Sequence, residues 1–208
     1  YTYGVEKEAD FKAANIKLYD DRTEYDLIID KQKYKVSTPI LGNFNVYNTL
    51  AAITTCILLG LSREDVIKRV QNLKSVSGRL DKVENDKNVN IIVDYAHTPD
   101  ALLNILKSAR LFTKNRIILV FGCGGNRDKA KRPIMGKIAQ QNADISIITS
   151  DNPRFEKEMD IIEDILCGID KTLDNYFVVQ DREDSIKKAI ELYEVGDLII
   201  IAGKGHEI

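Results

Sequence analysis

The sequence predicts an α/β protein in two parts: a doubly wound, mostly parallel domain over residues 78–208, preceded by a smaller region of antiparallel meander and helices over residues 1–77. Three observations predict it. Beyond Arg79, short apolar runs alternate with stretches of helical period, the pattern of repeated strand–helix–strand units. Those runs are almost continuously apolar, as in Ile117-Ile118-Leu119-Val120-Phe121, which marks strands buried on both faces. Before Ser75 the apolar runs are short, aromatic or β-branched, and divided by aspartate-rich turns.

The elements follow in order. Residues 16–19, 25–29 and 34–37 read as strands separated by Asp20-Asp21-Arg22 and Asp30-Lys31-Gln32, a small antiparallel meander. An apolar helix is expected over 46–59, ended by Gly60, and a second is opened by Ser62 with Glu64 and Asp65 in its first turn. Ser75, Ser77 and Gly78 read as a linker and place the domain boundary. Strands are then expected at 89–93, 116–121, 144–149, 176–179 and 198–202, with helices at 98–113, 131–142, 157–169 and 182–194. Four crossover helices around such strands imply a Rossmann-like sheet covered on both sides.

Composition narrows the function. With 208 residues, 44% hydrophobic and 30% charged, the chain has the makeup of a globular protein. Its 30 Lys and Arg against 32 Asp and Glu, net −2, argue against a polyanion-binding surface, so no nucleic-acid partner is expected. Cys56, Cys123 and Cys167 are odd in number, far apart and form no Cys-x-x-Cys pair, which indicates neither a disulfide framework nor a zinc site and suits a reducing cytoplasm. No 18-residue apolar run and no leader-like N-terminus are present, so neither membrane span nor export is expected.

Four strand ends of the second part carry polar or glycine-rich sequence: Asp94 to Pro99, Gly122 to Asp128, Asp151 to Arg154, and Gly203 to Glu207. Strands of a parallel sheet point the same way, so these loops are expected at one edge, where such sheets bind ligands. Asp151-Asn152-Pro153-Arg154, polar, stiff and cationic, reads as an anion site. Each loop also has a plainer reading. The glycine cluster lacks the Gly-x-Gly-x-x-Gly spacing of dinucleotide folds. Asp94 is one candidate to cap the helix that follows, but Thr98 with Pro99 at N1 is better placed, which leaves Asp94 free for a ligand. Lys129, Lys131 and Arg132 read as a solvated helix start, although cations there oppose the helix dipole.

Taken together the motifs carry a resemblance. Asp94-Tyr95-Ala96-His97-Thr98-Pro99-Asp100, Gly122-Cys123-Gly124-Gly125-Asn126-Arg127-Asp128 with Lys131-Arg132-Pro133, Asp151-Asn152-Pro153-Arg154, and Ala202-Gly203-Lys204-Gly205-His206-Glu207 resemble, in that order, the C-terminal domain of the Mur ligases of peptidoglycan synthesis. Gly42-Asn43-Phe44-Asn45-Val46-Tyr47-Asn48 and Gly78-Arg79-Leu80-Asp81 resemble the end of that family's central ATP-binding domain. The resemblance covers essentially the whole chain and is nearest the branch that adds the third amino acid.

The resemblance implies amide-bond formation through an acyl phosphate: ATP, with Mg²⁺, phosphorylates the D-glutamyl carboxylate of UDP-N-acetylmuramoyl-L-alanyl-D-glutamate, and the amine of meso-diaminopimelate attacks it. By resemblance Arg127 holds an amino-acid carboxylate, and Asp151, Asn152, Pro153 and Arg154 select diaminopimelate over lysine. The extra carboxylate suits a planar guanidinium. Gly203 then permits close backbone approach, and Glu207 binds the distal ammonium. Asn48, Arg79, Asp94 and His97 resemble nucleotide contacts. No Gly-x-x-x-x-Gly-Lys-[Ser/Thr] occurs, so the chain reads as a C-terminal portion that holds neither the phosphate loop, nor catalytic residues, nor metal ligands. Glu158 and Met159 stand where relatives usually place a proline. A monomer acting on small molecules is expected. The alternatives are a stand-alone module binding an amino acid or nucleotide, and a ligase adding lysine.

Overall fold

The computed structural model describes residues 1–19, 21–74 and 76–205, in two compact units, Tyr1–Ser75 and Val76–Ile208. In the first unit, strands β1 (Tyr3–Gly4), β2 (Phe11–Leu18), β3 (Thr23–Ile29) and β4 (Gln32–Thr38) form a sheet in that order, followed by helices α1 (Asn43–Leu58) and α2 (Arg63–Val70). Leu27 of β3 packs with Leu50 and Ile53 of α1 and Val66 of α2 in one buried cluster. Ser62 caps α2 by accepting the Asp65 N–H, as its sequence position predicts. β3, β4 and α1 start two or three residues earlier than expected, and two further features differ. β1 pairs parallel with β2, so the sheet is not a pure meander. β2 starts at Phe11 rather than Ile16, because its buried Ala13 carries little strand propensity and the register slips between Ala14 and Lys17, where Asn15 has φ 53°.

The second unit is a six-stranded sheet. After β5 (Asp81–Lys82) come β6 (Ile91–Asp94), α3 (Pro99–Arg110), β7 (Ile117–Phe121), α4 (Lys131–Asn142), β8 (Ile145–Ile148), α5 (Glu158–Leu166), β9 (Tyr176–Val178), α6 (Arg182–Leu192) and β10 (Leu198–Ala202). The spatial order is β5-β6-β10-β7-β8-β9, parallel except for β5. The chain steps outward from β6 to β9 and returns through α6 to insert β10 between β6 and β7. Ala189 of α6 packs on Ile118, Val120, Ile147 and Ile199, so the alternating Leu119, Phe121, Ile148 and Ile200 face the opposite layer, where α3, α4 and α5 pack in succession. Ile117 to Phe121 are fully buried, as their unbroken apolar run requires. Boundaries run one to three residues short of expectation at several ends, with the final turns of α3 and α5 lying outside regular helix.

Among the described residues no helix is long and apolar enough to cross a membrane.

Candidate functional site

The carboxyl ends of β6, β10, β7 and β8 are neighbours in the sheet, and their loops enclose a cleft of about 640 Å³. Arg127, Asp151, Asn152, Arg154, Gly203 and His97, all singled out from the sequence, line it. The convergence follows from parallel strands alone.

Two of the loops interlock. Gly125 N–H donates to the Asn152 carbonyl at 2.9 Å, and Arg154 Nη1 returns a bond to the Gly125 carbonyl at 2.8 Å. The Phe155 N–H donates to Asn126 Oδ1 at 2.9 Å. A Cβ on Gly125 would lie 1.8 Å from the Pro153 carbonyl oxygen, so only glycine permits this approach. Arg154 and Asn126 both hold left-handed backbone, φ 53° and 49°, a conformation costly for side-chain-bearing residues. Pro153 thus shapes the loop contact and does not itself line the cleft. Gly203, φ 98°, donates its N–H to the Asp94 carbonyl, and a Cβ there would meet Asp151 Oδ2 at 3.4 Å.

Beneath these loops lies a residue expected to be solvated. Arg132 is fully buried, paired bidentately with Glu156 at 2.9 Å on both arms, and its Nη1 also reaches Asp164 Oδ2 at 2.8 Å. Its Nη2 donates to the Gly124 carbonyl at 3.2 Å. The pairing raises the Arg132 pKa and, with Lys129 and the Asn126 amide adding to it, holds the Glu156 carboxyl well below the usual range. A signal for burial was present: Arg132 lies on the α4 stripe with Met135, Gly136, Ala139 and Gln140, at offsets of a core-facing helix side. The charge of the side chain masked it. Lys131 is not simply solvated either, since its Nζ donates to the His97 carbonyl at 2.7 Å and it lines the cleft.

The expected nucleotide contacts divide. Asp94 is not free for a ligand. It is buried, and its two oxygens accept the Leu80 and Ala96 N–H groups at 2.8 Å each, an assignment the sequence could not make because Leu80 is distant in the chain. Burial raises its pKa against the lowering effect of those amides and of Arg79. Arg79 is exposed, its guanidinium 4.9 Å over the Tyr95 ring, and Tyr95 meets His97 edge-on at 4.6 Å. Asn48 belongs to the first unit, where its amide donates to Asn45 Oδ1 at 2.8 Å. His206 and Glu207 lie outside the described residues. Cys123 is buried, its thiol pushed up to about 11 by desolvation, and so is not poised as a nucleophile. Among the described residues no group of three or more His, Cys, Asp or Glu could hold a metal ion. α5 opens at Glu158, and Lys157 at its N-cap makes no side-chain bond, so the helix start has no side-chain cap.

Comparison with known proteins adds identity to geometry. Residues 1–56 match the Mur ligase middle domain and residues 78–205 the Mur ligase glutamate ligase domain. The UDP-N-acetylmuramoyl-L-alanyl-D-glutamate--2,6-diaminopimelate ligase of Clostridioides difficile (strain 630) is 51% identical over 207 residues, covering 100% of this chain and 43% of that protein. The enzyme of the same name from Halalkalibacterium halodurans (strain ATCC BAA-125 / DSM 18197 / FERM 7344 / JCM 9153 / C-125) is 44% identical, covering 99% and 42%. A solved structure of a UDP-N-acetylmuramoyl-L-alanyl-D-glutamate--2,6-diaminopimelate ligase superposes with TM-score 0.73 at 37% identity, over 99% of this chain and 42% of that one. The MurF ligase of Thermotoga maritima in complex with ADP, 17% identical with TM-score 0.73 over 97% of this chain and 44% of that one, shares the fold. The chain therefore spans less than half the length of the relatives it matches. Two consecutive domain matches and whole-chain identity of about one half to a relative place this chain in the Mur ligase family.

Proposed function

We propose that this chain supplies the amino-acid site of an ATP-dependent ligase that joins meso-diaminopimelate to the D-glutamyl carboxylate of UDP-N-acetylmuramoyl-L-alanyl-D-glutamate. The observation that carries the reading is the meeting of Arg127, Arg154, Asp151, Asn152 and Gly203 in one cleft. Lys131, Arg127 and Arg154 line it together with Asp128 and Asp151, a mixture of charges suited to a ligand with two carboxylates and two ammonium groups. Arg154 donates through Nη1 to the protein, and among the described residues its Nε and Nη2 make no bond, which leaves one guanidinium edge for a carboxylate. Arg154 is assigned the carboxylate that lysine lacks, the second one, Arg127 the other carboxylate, Asp151 an ammonium, and Glu207 the distal ammonium.

Held this way, the amine is oriented toward an acyl carbon, and orientation is the chain's own contribution to rate. Asn48, Arg79 and His97 are assigned to ATP, with Arg79 at phosphate; Asp94 is assigned to the backbone instead. The described residues fit no Mg²⁺ site, so no step is given to that ion on them. The protein is expected to act as a cytoplasmic monomer.

The test is phosphate release by the full-length protein with meso-diaminopimelate or L-lysine as acceptor. One charged hydrogen bond, about 1.5–3 kcal/mol, predicts a preference of roughly 10- to 150-fold for diaminopimelate in kcat/KM. Equal use of lysine would contradict the assignment, and absence of any amine-dependent release would favour a binding module.

A further inference from the structure

We infer that Arg132 is a positioning residue for amino-acid binding: through Glu156 it clamps the Gly122–Asp128 loop to the Asp151–Glu156 turn and so fixes Arg127 and Arg154 for one ligand. The inference rests on the diaminopimelate reading above. Arg132 reaches one loop at the Gly124 carbonyl and the other at Glu156. Glu156 in turn accepts the Asn126 N–H, one residue before Arg127, and stands two residues after Arg154. The clamp thus bears on both left-handed residues, Asn126 and Arg154, whose backbones need outside support.

The Asp164 contact ties α4 to α5 and is structural, but such a role does not account for the contacts to the two loops. Arg132 sits in the first turn of α4, where the helix dipole opposes a cation, and no acidic residue offsets it within that turn. Its buried Nε has no partner among the described residues. A buried ion pair is commonly no more stable than apolar residues of equal volume. What the pair does supply is a rigid, planar, bidentate link whose ends are the two loops of the cleft.

The test uses the full-length ligase with Glu156→Gln and Arg132→Lys, each checked for native circular dichroism. The expected result is a KM for diaminopimelate raised at least about tenfold in both, with KM for ATP within about twofold and kcat at saturating amino acid largely kept. Lysine at position 132 keeps the charge but not the fork, so it is not expected to rescue. In an Arg154→Ala background, Glu156→Gln should add clearly less than it does alone, because part of its effect passes through that contact and only the Arg127 part remains. Folded variants with wild-type KM, or effects that multiply in the double variant, would overturn the inference. Should Arg132→Lys fail to fold, Glu156→Gln, which keeps side-chain volume, decides alone. If the wild-type enzyme uses lysine instead, the substrate reading fails while the same KM ratios, taken with lysine, still judge the clamp.

Discussion

Gly203 carries two constraints at once, a backbone at φ 98° and a Cβ direction aimed at Asp151 Oδ2 3.4 Å away. Gly203→Ala is therefore expected to lower stability by about 1–2 kcal/mol through the left-handed backbone alone, measured by urea unfolding, and to raise KM for the amino acid by crowding the cleft. Unchanged stability would show that the loop relaxes. Residue by residue, the sequence was informative where a motif sat at a strand end, and less so where charge hid burial. Asp94 and Arg132 are the cases in point. The sequence alone makes Asp94 a ligand candidate because its partner amide, Leu80, is fourteen residues away and no local pattern connects them. The charge of Arg132 favours solvation because arginine is rarely fully buried, although its helical phase with Met135 and Ala139 marks the core side of α4.

Between elements, the joints are charged. Asp197, almost fully buried before β10, accepts the Arg116 N–H, the Arg116 side chain and the Glu194 N–H, tying the start of β7 to that of β10. Burial pushes its carboxyl up, yet the Arg116 pair and the two amides outweigh this and the net shift is downward. Asp197→Ala leaves those donors unpaired and is expected to cost about 2–3 kcal/mol, read as a lower unfolding midpoint with unchanged slope; a change under about 0.5 kcal/mol would contradict it. Glu156 sets an acid limit on the loop clamp. Its folded value lies below the ordinary 4.5, so its stabilising contribution is fully present above that pH and is lost as pH falls toward the folded value. Thermal unfolding from pH 6 downward should therefore show a loss below about pH 4.5 that is shallower in Glu156→Gln; identical slopes would place the shift elsewhere. The strands of the second unit were legible because each is an uninterrupted apolar run. β1 and the first half of β2 were not, since a two-residue strand has no period and alanine gives no strand signal.

At the scale of the whole molecule, the central strands of the second unit are sealed on both faces, while β9 at one edge is partly exposed. Native-state hydrogen exchange should accordingly be slowest in β7 and β10 and faster in β5 and β9; equal protection from centre to edge would contradict the layering. The same layering puts four loops from strands far apart in sequence around one cleft. That outcome was readable in advance because parallel strands share a direction, whereas the interlock of the two inner loops depends on Gly125, Asn126 and Glu156 meeting in three dimensions. The central claim is that Arg154 reads the second carboxylate of the amino acid. Its most direct test is the KM for meso-diaminopimelate of Arg154→Ala in the full-length ligase. A rise of at least about tenfold, equivalent to about 1.4 kcal/mol, is predicted, and a KM equal to that of the wild type would contradict the account.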